Sequence, residues 1–212
     1  MCKRLLCFLT LMTSVFFFSA CSPLGSLSDS DMNIYEKIHS YYNKMECYSA
    51  NLEFTVYSNK TENKYVASEK ALGNDKFYMK TTSPKSDLSV TTISNGKKTK
   101  TLTEGSDYSV TLPSNDALCL LFVNTFFKTY YSSEETVLTV NKASEGNVTI
   151  LETTLSPISK NAAKIQLSIN NDTLAPEEIT VCNIGGNPWI KGKFSDFKYN
   201  DKEINESVFN TD

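Results

Sequence analysis

The chain has 212 residues, 21 of them basic and 24 acidic, for a formal net charge of −3. A mildly acidic chain with no basic cluster beyond Lys97, Lys98 and Lys100 lacks the concentrated cationic face that phosphate recognition needs, so nucleic acid is excluded as a partner. A single histidine, His39, is too few for an ordinary zinc-hydrolase ligand set, and any Ser/His or Cys/His catalysis would have to use it.

Lys3 and Arg4 precede an apolar run, Leu5 to Ala20, which ends in Phe18-Ser19-Ala20-Cys21. As helix, that run spans about 24 Å, short of the ~30 Å of a bilayer core. A charged start, a short apolar stretch, small residues at the cut and a cysteine predict a bacterial lipoprotein signal over 1–20; an uncleaved membrane anchor is the competing reading. Cys21 is then the lipidation site, residues 21–31 a lipidated tether, and 32–212 a single domain outside the cytoplasm. The mature 192 residues carry side-chain charges summing to −5. Two acyl chains on Cys21 hold such a protein firmly to a membrane. Cys21→Ala is expected to block lipidation and leave an unprocessed precursor, which a mass measurement of the membrane-extracted chain reads directly.

Asp31 to Glu46 has apolar residues at helical spacing (Ile34, Ile38, Tyr41 or Tyr42, Met45), with Ser30 or Asp31 able to cap its start. From Tyr48 the period changes to two: Leu52, Phe54 and Val56 alternate with Asn51, Glu53 and Thr55, which predicts a half-buried strand. Strands follow over Lys64 to Leu72, Lys76 to Thr82, Leu88 to Ser94, Lys97 to Glu104 and Tyr108 to Leu112. Asn95-Gly96 is the strongest hairpin signal, because a type I′ turn requires positive φ. Asp116 to Tyr131 is apolar almost all round, which predicts a largely buried helix; a pair of core strands is the alternative. A second β run takes Glu135 to Lys142, Asn147 to Leu155, Ala163 to Ile169, Glu177 to Asn183 and Trp189 to Tyr199. Meandering strands with local turns predict an α+β fold: one strongly curved antiparallel sheet of about ten strands, an unclosed β half-barrel whose concave face the helices cover.

Cys2 and Cys7 fall in the signal. Cys47, Cys119 and Cys182 are too widely spaced for a zinc pattern and too few for a disulfide framework; they read as small apolar residues, with one bridge left open. Glu134-Glu135 and Glu177-Glu178 are paired acids, but strand neighbours point to opposite faces, so neither pair makes a dyad. No Gly-rich phosphate loop or nucleophile motif is present, and no cofactor or metal is expected.

The helix–sheet–helix–sheet order resembles the outer-membrane lipoprotein carrier family, with the LolA/LolB-like fold. Ile169-Asn170-Asn171-Asp172-Thr173-Leu174-Ala175-Pro176 resembles its strand, turn and proline. Gly185-Gly186, then Phe194-Ser195-Asp196-Phe197-Lys198-Tyr199-Asn200, then Phe209, resemble its closing pattern. Within that group, the lipobox, the short mature chain and the Lys/Asn-rich composition resemble clostridial spore-germination lipoproteins of the GerS type. That resemblance implies a non-catalytic partner that binds and activates a cortex-modifying N-acetylmuramoyl-L-alanine amidase, anchored to a forespore or spore envelope membrane. It carries over one functional residue, Cys21.

Two functions remain open on the residues. A protein-binding activator would use free sheet edges and exposed aromatics, with Tyr41, Tyr42, Tyr130, Tyr131 and Trp189 as candidates. A lipid or apolar-ligand carrier would use the concave face once its lid moved. Eight large apolar residues between Leu118 and Tyr130 argue for a plug, since burying four of them contributes about 6–12 kcal/mol. Interface residues and oligomeric state are not specified by the sequence.

Overall fold

The computed structural model describes residues 33–58, 60–82, 88–113, 117–141, 147–159 and 161–211. The chain divides into two compact units, Met1–Lys37 and Ile38–Asp212. The signal, Cys21 and the tether lie outside the described residues.

Of the first unit only Asn33 to Lys37 is described, in the opening turn of helix α1 (Ile34–Asn43). Asn33 Oδ1 accepts the Glu36 N–H at 3.0 Å, and Glu36 Oε2 accepts the Asn33 N–H at 2.9 Å. This reciprocal capping box satisfies two backbone donors of the first turn. It starts the helix later than the sequence pattern suggests, and the cap is Asn33 in place of Ser30 or Asp31.

The second unit holds eleven strands where the sequence pattern predicts about ten. They are β1 (Cys47–Tyr57), β2 (Glu62–Leu72), β3 (Lys76–Thr82), β4 (Ser89–Asn95), β5 (Lys98–Thr103), β6 (Ser109–Pro113), β7 (Thr136–Asn141), β8 (Val148–Ser159), β9 (Ala162–Asn170), β10 (Pro176–Cys182) and β11 (Pro188–Tyr199). All pair antiparallel in one sheet of order β6-β5-β4-β3-β2-β1-β11-β10-β9-β8-β7. Two consecutive meanders, β1–β6 and β7–β11, therefore meet at a single seam, β1 against β11. In β1 the alternation fixes the faces: Tyr48, Ala50, Leu52 and Phe54 are buried, while Asn51 and Glu53 are exposed. At the β4–β5 turn Gly96 takes φ +86°, and Asn95 Oδ1 accepts the N–H groups of Lys97 and Lys98 at 3.0 and 2.9 Å.

The segment joining β6 to β7 comprises a 3-10 helix (Ala117–Leu121) and helix α2 (Val123–Ser132). The single helix expected over Asp116 to Tyr131 is thus broken at Phe122, whose backbone is extended (φ −83°, ψ 134°). The break lets both pieces lay apolar residues on the sheet. Leu120, Leu121, Phe122, Val123, Phe126, Phe127 and Tyr130 are all buried.

The contacts of this segment show that the sheet curls. Phe122 packs on Phe77 of β3, ring centroids 5.0 Å apart, while α2 also contacts β8 and β9. In a flat sheet β3 and β8 would lie six strand spacings apart, about 29 Å. A ten-residue helix is only about 15 Å long. Both ends of the sheet must wrap round it, which makes the inner face a half-barrel around α2. Gly192 of β11 helps the inner face close: a Cβ there would lie 2.9 Å from Leu52 Cδ1 and 3.3 Å from Ile179 Cγ2.

Candidate interaction surfaces

Directly paired residues of antiparallel strands point to the same face, so the register sorts the inner surface strand by strand. On β8–β10 it is aliphatic: Leu151, Ile165, Leu167, Ile169, Ile179 and Val181 are buried. On β2–β5 it turns polar, with Glu69, Thr92, Ser94 and Thr99 buried. The 3-10 helix and α2 fill the space between. Helix α1 adds Ile38 and Tyr42; Tyr42 stacks on Phe127 at 4.1 Å and donates its hydroxyl to the Leu174 carbonyl at 2.7 Å.

Glu69 is the one carboxylic acid that is almost fully buried among the described residues, 1% exposed. Burial pushes its carboxyl up to about 8, with the hydrogen bond from Tyr48 pulling weakly the other way. Burial likewise raises the Tyr48 phenol well above its ordinary value.

The two outermost strands offer a different surface. β6 (Ser-Val-Thr-Leu-Pro) and β7 (Thr-Val-Leu-Thr-Val-Asn) contain no charged residue. Tyr108 (75% exposed), Val110 and Leu112 are exposed beside or on β6, and Val137 and Leu138 on β7. The register places Val110 and Leu112 opposite Thr101 and Thr99, and Leu138 opposite Leu151. These three face inward, yet nothing among the described residues covers them well. Free edges of soluble proteins are ordinarily blunted with lysine, proline or a bulge; here only Pro113 serves that purpose. The lysines instead crowd the central strands, such as Lys64, Lys191 and Lys193. The sequence does carry a signal for these edges: two β-prone runs without a single charge.

Of the aromatics singled out from the sequence, Tyr42 and Tyr130 belong to the core. Tyr41 is half-buried with its ring centroid 4.2 Å from that of Tyr199, and Tyr131 (41% exposed) and Trp189 remain accessible. His39 is exposed on α1, its ring centroid 4.9 Å from that of Tyr131. Glu134 and Glu135 are exposed; Glu177 accepts from Asn170 Nδ2 at 2.8 Å and Glu178 pairs with Lys191 at 2.9 Å, so neither acid pair converges. Cys47, Cys119 and Cys182 are not joined by disulfides. Among the described residues no group of three or more His, Cys, Asp or Glu side chains could hold a metal ion, and no helix is long and apolar enough to cross a membrane.

The model of the sporulation protein YdcC-like family matches residues 2–209. The chain belongs to that family. No curated protein matches this YdcC-like sequence. Among solved structures, it is similar to a chain in the structure of the CwlD amidase from Clostridioides difficile in complex with the GerS lipoprotein. The identity is 27%, with 82% of this chain and 96% of that chain covered and a TM-score of 0.47. An uncharacterized conserved protein from Thermus thermophilus is 15% identical over 84% of this chain and 93% of its own, with a TM-score of 0.53. A LolA superfamily protein from Nitrosomonas europaea is 14% identical over 84% and 96%, with a TM-score of 0.45. The YdcC-like chain has the single antiparallel, unclosed sheet with two helices that its sequence predicts.

Proposed function

We propose that this YdcC-like protein is a membrane-anchored, non-catalytic lipoprotein that binds and activates a spore-cortex N-acetylmuramoyl-L-alanine amidase, and so serves cortex modification and germination. The observation that carries the reading is the division of labour in the sheet. Its inner face is occupied by its own chain, and its two ends carry uncharged, β-prone strands with exposed apolar side chains. A strand from a partner can add to such an edge through main-chain hydrogen bonds, with Val110, Leu112, Val137 and Leu138 offering apolar contacts. Membership of a sporulation family fits the setting. The class of partner follows the sequence resemblance to GerS-type lipoproteins; in the Clostridioides difficile structure a GerS lipoprotein is in complex with the CwlD amidase. The anchor is Cys21, acylated after removal of residues 1–20.

The competing reading, a carrier of lipid or another apolar ligand, requires the inner face to empty. Removing Phe122, Phe126, Phe127 and Leu121 from it forfeits about 6–12 kcal/mol of burial. Two measurements separate the readings. Full-length chain co-expressed with a cortex amidase of its own organism is expected to co-purify with it and to raise its hydrolysis of peptidoglycan. A titration of the same chain with a fluorescent fatty acid is expected to show no saturable binding. Low-micromolar fatty-acid binding together with no effect on the amidase would reverse the assignment.

A further inference from the structure

Glu69 sits on β2 facing inward, opposite Ala50 of β1 and Met79 of β3. One carboxyl oxygen, Oε1, accepts the Tyr48 hydroxyl at 2.9 Å; the other, Oε2, is buried and has no partner. The Tyr48 oxygen in turn accepts the backbone N–H of Val123 at 3.0 Å. Val123 is the first residue of α2, and the residue before it, Phe122, has no side-chain oxygen to cap the helix. A side chain from the sheet thus takes over a duty that Ser, Thr, Asp or Asn normally performs from within the helix. A buried acid is tied, through one phenol, to the end of the element that fills the half-barrel.

We propose that Glu69 and Tyr48 form a proton-controlled latch on α2: while the carboxyl keeps its proton the helix stays on the inner face, and loss of that proton lifts the first turn of the helix. The groups that meet Glu69 offer its charge one hydrogen-bond donor, the Tyr48 hydroxyl, and no counter-ion. β1 offers Tyr48, β3 offers Met79, α2 offers the Val123 N–H, and from α1 the Tyr42 phenol acts on Tyr48. Both phenols are raised well above their ordinary values, so Glu69 ionises before either of them. Among the described residues no cation acts on the carboxyl; the influences on it are burial and the Tyr48 hydroxyl. A carboxylate without a counter-ion draws in water. Oε2 already lacks a hydrogen-bond partner, and the start of α2 lies against the pair, the Val123 N–H 3.0 Å from the Tyr48 oxygen. The farther end of the helix keeps its own anchors, including the Tyr42–Phe127 stack. The expected motion is therefore a lifting of the first turn of α2 about that anchored end, which exposes the polar inner face of β2–β5.

Hydrogen exchange of the full-length, detergent-solubilised chain between pH 5 and 8, corrected for intrinsic rates, tests this. Amides of residues 120–130 should open faster than those of β8–β10 at every pH. Their opening should rise about tenfold per pH unit as the buried proton is lost, and the rise should be absent in Glu69→Gln. Residues 120–130 exchanging no faster than β8–β10, or an equal slope in Glu69→Gln, would overturn the latch. Should that variant not fold, the carboxyl carbon resonance of Glu69 and the α2 amide resonances of the unsubstituted chain must titrate with one midpoint, and two separate midpoints would overturn it.

Discussion

Replacing Phe126 by aspartate is expected to leave the chain unable to fold. Phe126 is fully buried, stacked on Tyr130 at 5.7 Å and edge-on to Phe127 at 5.3 Å. Truncating such a ring to a methyl group costs about 3–5 kcal/mol. A carboxylate buried in the same place adds several more. The sum is comparable to the whole stability of a domain, about 5–15 kcal/mol. The same holds for Phe122→Asp, at 1% exposure and against Phe77. Tyr131→Asp, one turn further on the half-exposed side of α2, is the control, with an effect of about 1 kcal/mol. Circular dichroism and a urea melt of the three variants check this; a cooperative, native-like melt from Phe126→Asp would show that α2 is not core.

The second large effect is a stability that falls with rising pH. Glu69 has its carboxyl raised from an ordinary 4.5 to about 8 in the folded chain. The unfolded chain therefore gives up this proton first. Stability from Glu69 is fully present below about pH 4.5 and is lost as pH rises to about 8. At roughly 1.4 kcal/mol for each pH unit between those two values, the loss is roughly 5 kcal/mol. With a urea slope of about 2 kcal/mol per molar, the midpoint should drop by about 2 M between pH 5 and pH 8. Glu69→Gln should flatten that profile. The carboxylates held low by partners — Glu104 by Ser89 and Lys80, Glu152 by Lys164 and Gln166, Asp201 by Ser49 — work in the opposite sense, but they lose their stabilisation only as pH falls below the ordinary carboxylate range. A midpoint constant from pH 5 to 8 in the unsubstituted chain would refute the buried acid.

Much of this architecture is legible in residue order. Period-two alternation marks each strand because one face of the sheet is wet and the other dry, and the eleven strands fall within a few residues of their expected bounds. The β4–β5 hairpin is local chemistry and lies where the sequence puts it, but only Gly96 takes a positive φ, so the turn is not the type I′ expected of Asn95-Gly96. Residues 116–131 are harder. A run that is apolar all round does not reveal where it bends, and Phe122 breaks the helix because two walls of the barrel compete for its neighbours. Helix α1 starts at Ile34, where the Asn33–Glu36 box closes its first turn. Glu69 is hidden for another reason. In Tyr65-Val66-Ala67-Ser68-Glu69-Lys70 it looks like any solvated strand acid, and only the register with Ala50 and Met79 turns it inward. The bare edges need the strand order, since a strand without charge is unremarkable until it has no neighbour.

The seam between β1 and β11 has a consequence for how the chain comes to be folded. Cys47–Tyr57 must find Pro188–Tyr199, about 140 positions later, and among the described residues these two are the only strands through which the halves of the sheet hydrogen-bond. Every other pairing joins strands consecutive in the chain and can form as soon as its hairpin emerges. During synthesis the front half thus waits with one flank of β1 unpaired along its whole length, and loop closure over so long an interval is slow. Until the last strand arrives, each half exposes two raw borders able to capture a neighbouring molecule. Assembly of this protein is limited by arrival of its C-terminal strand, and chains cut short before Pro188 should accumulate as aggregates.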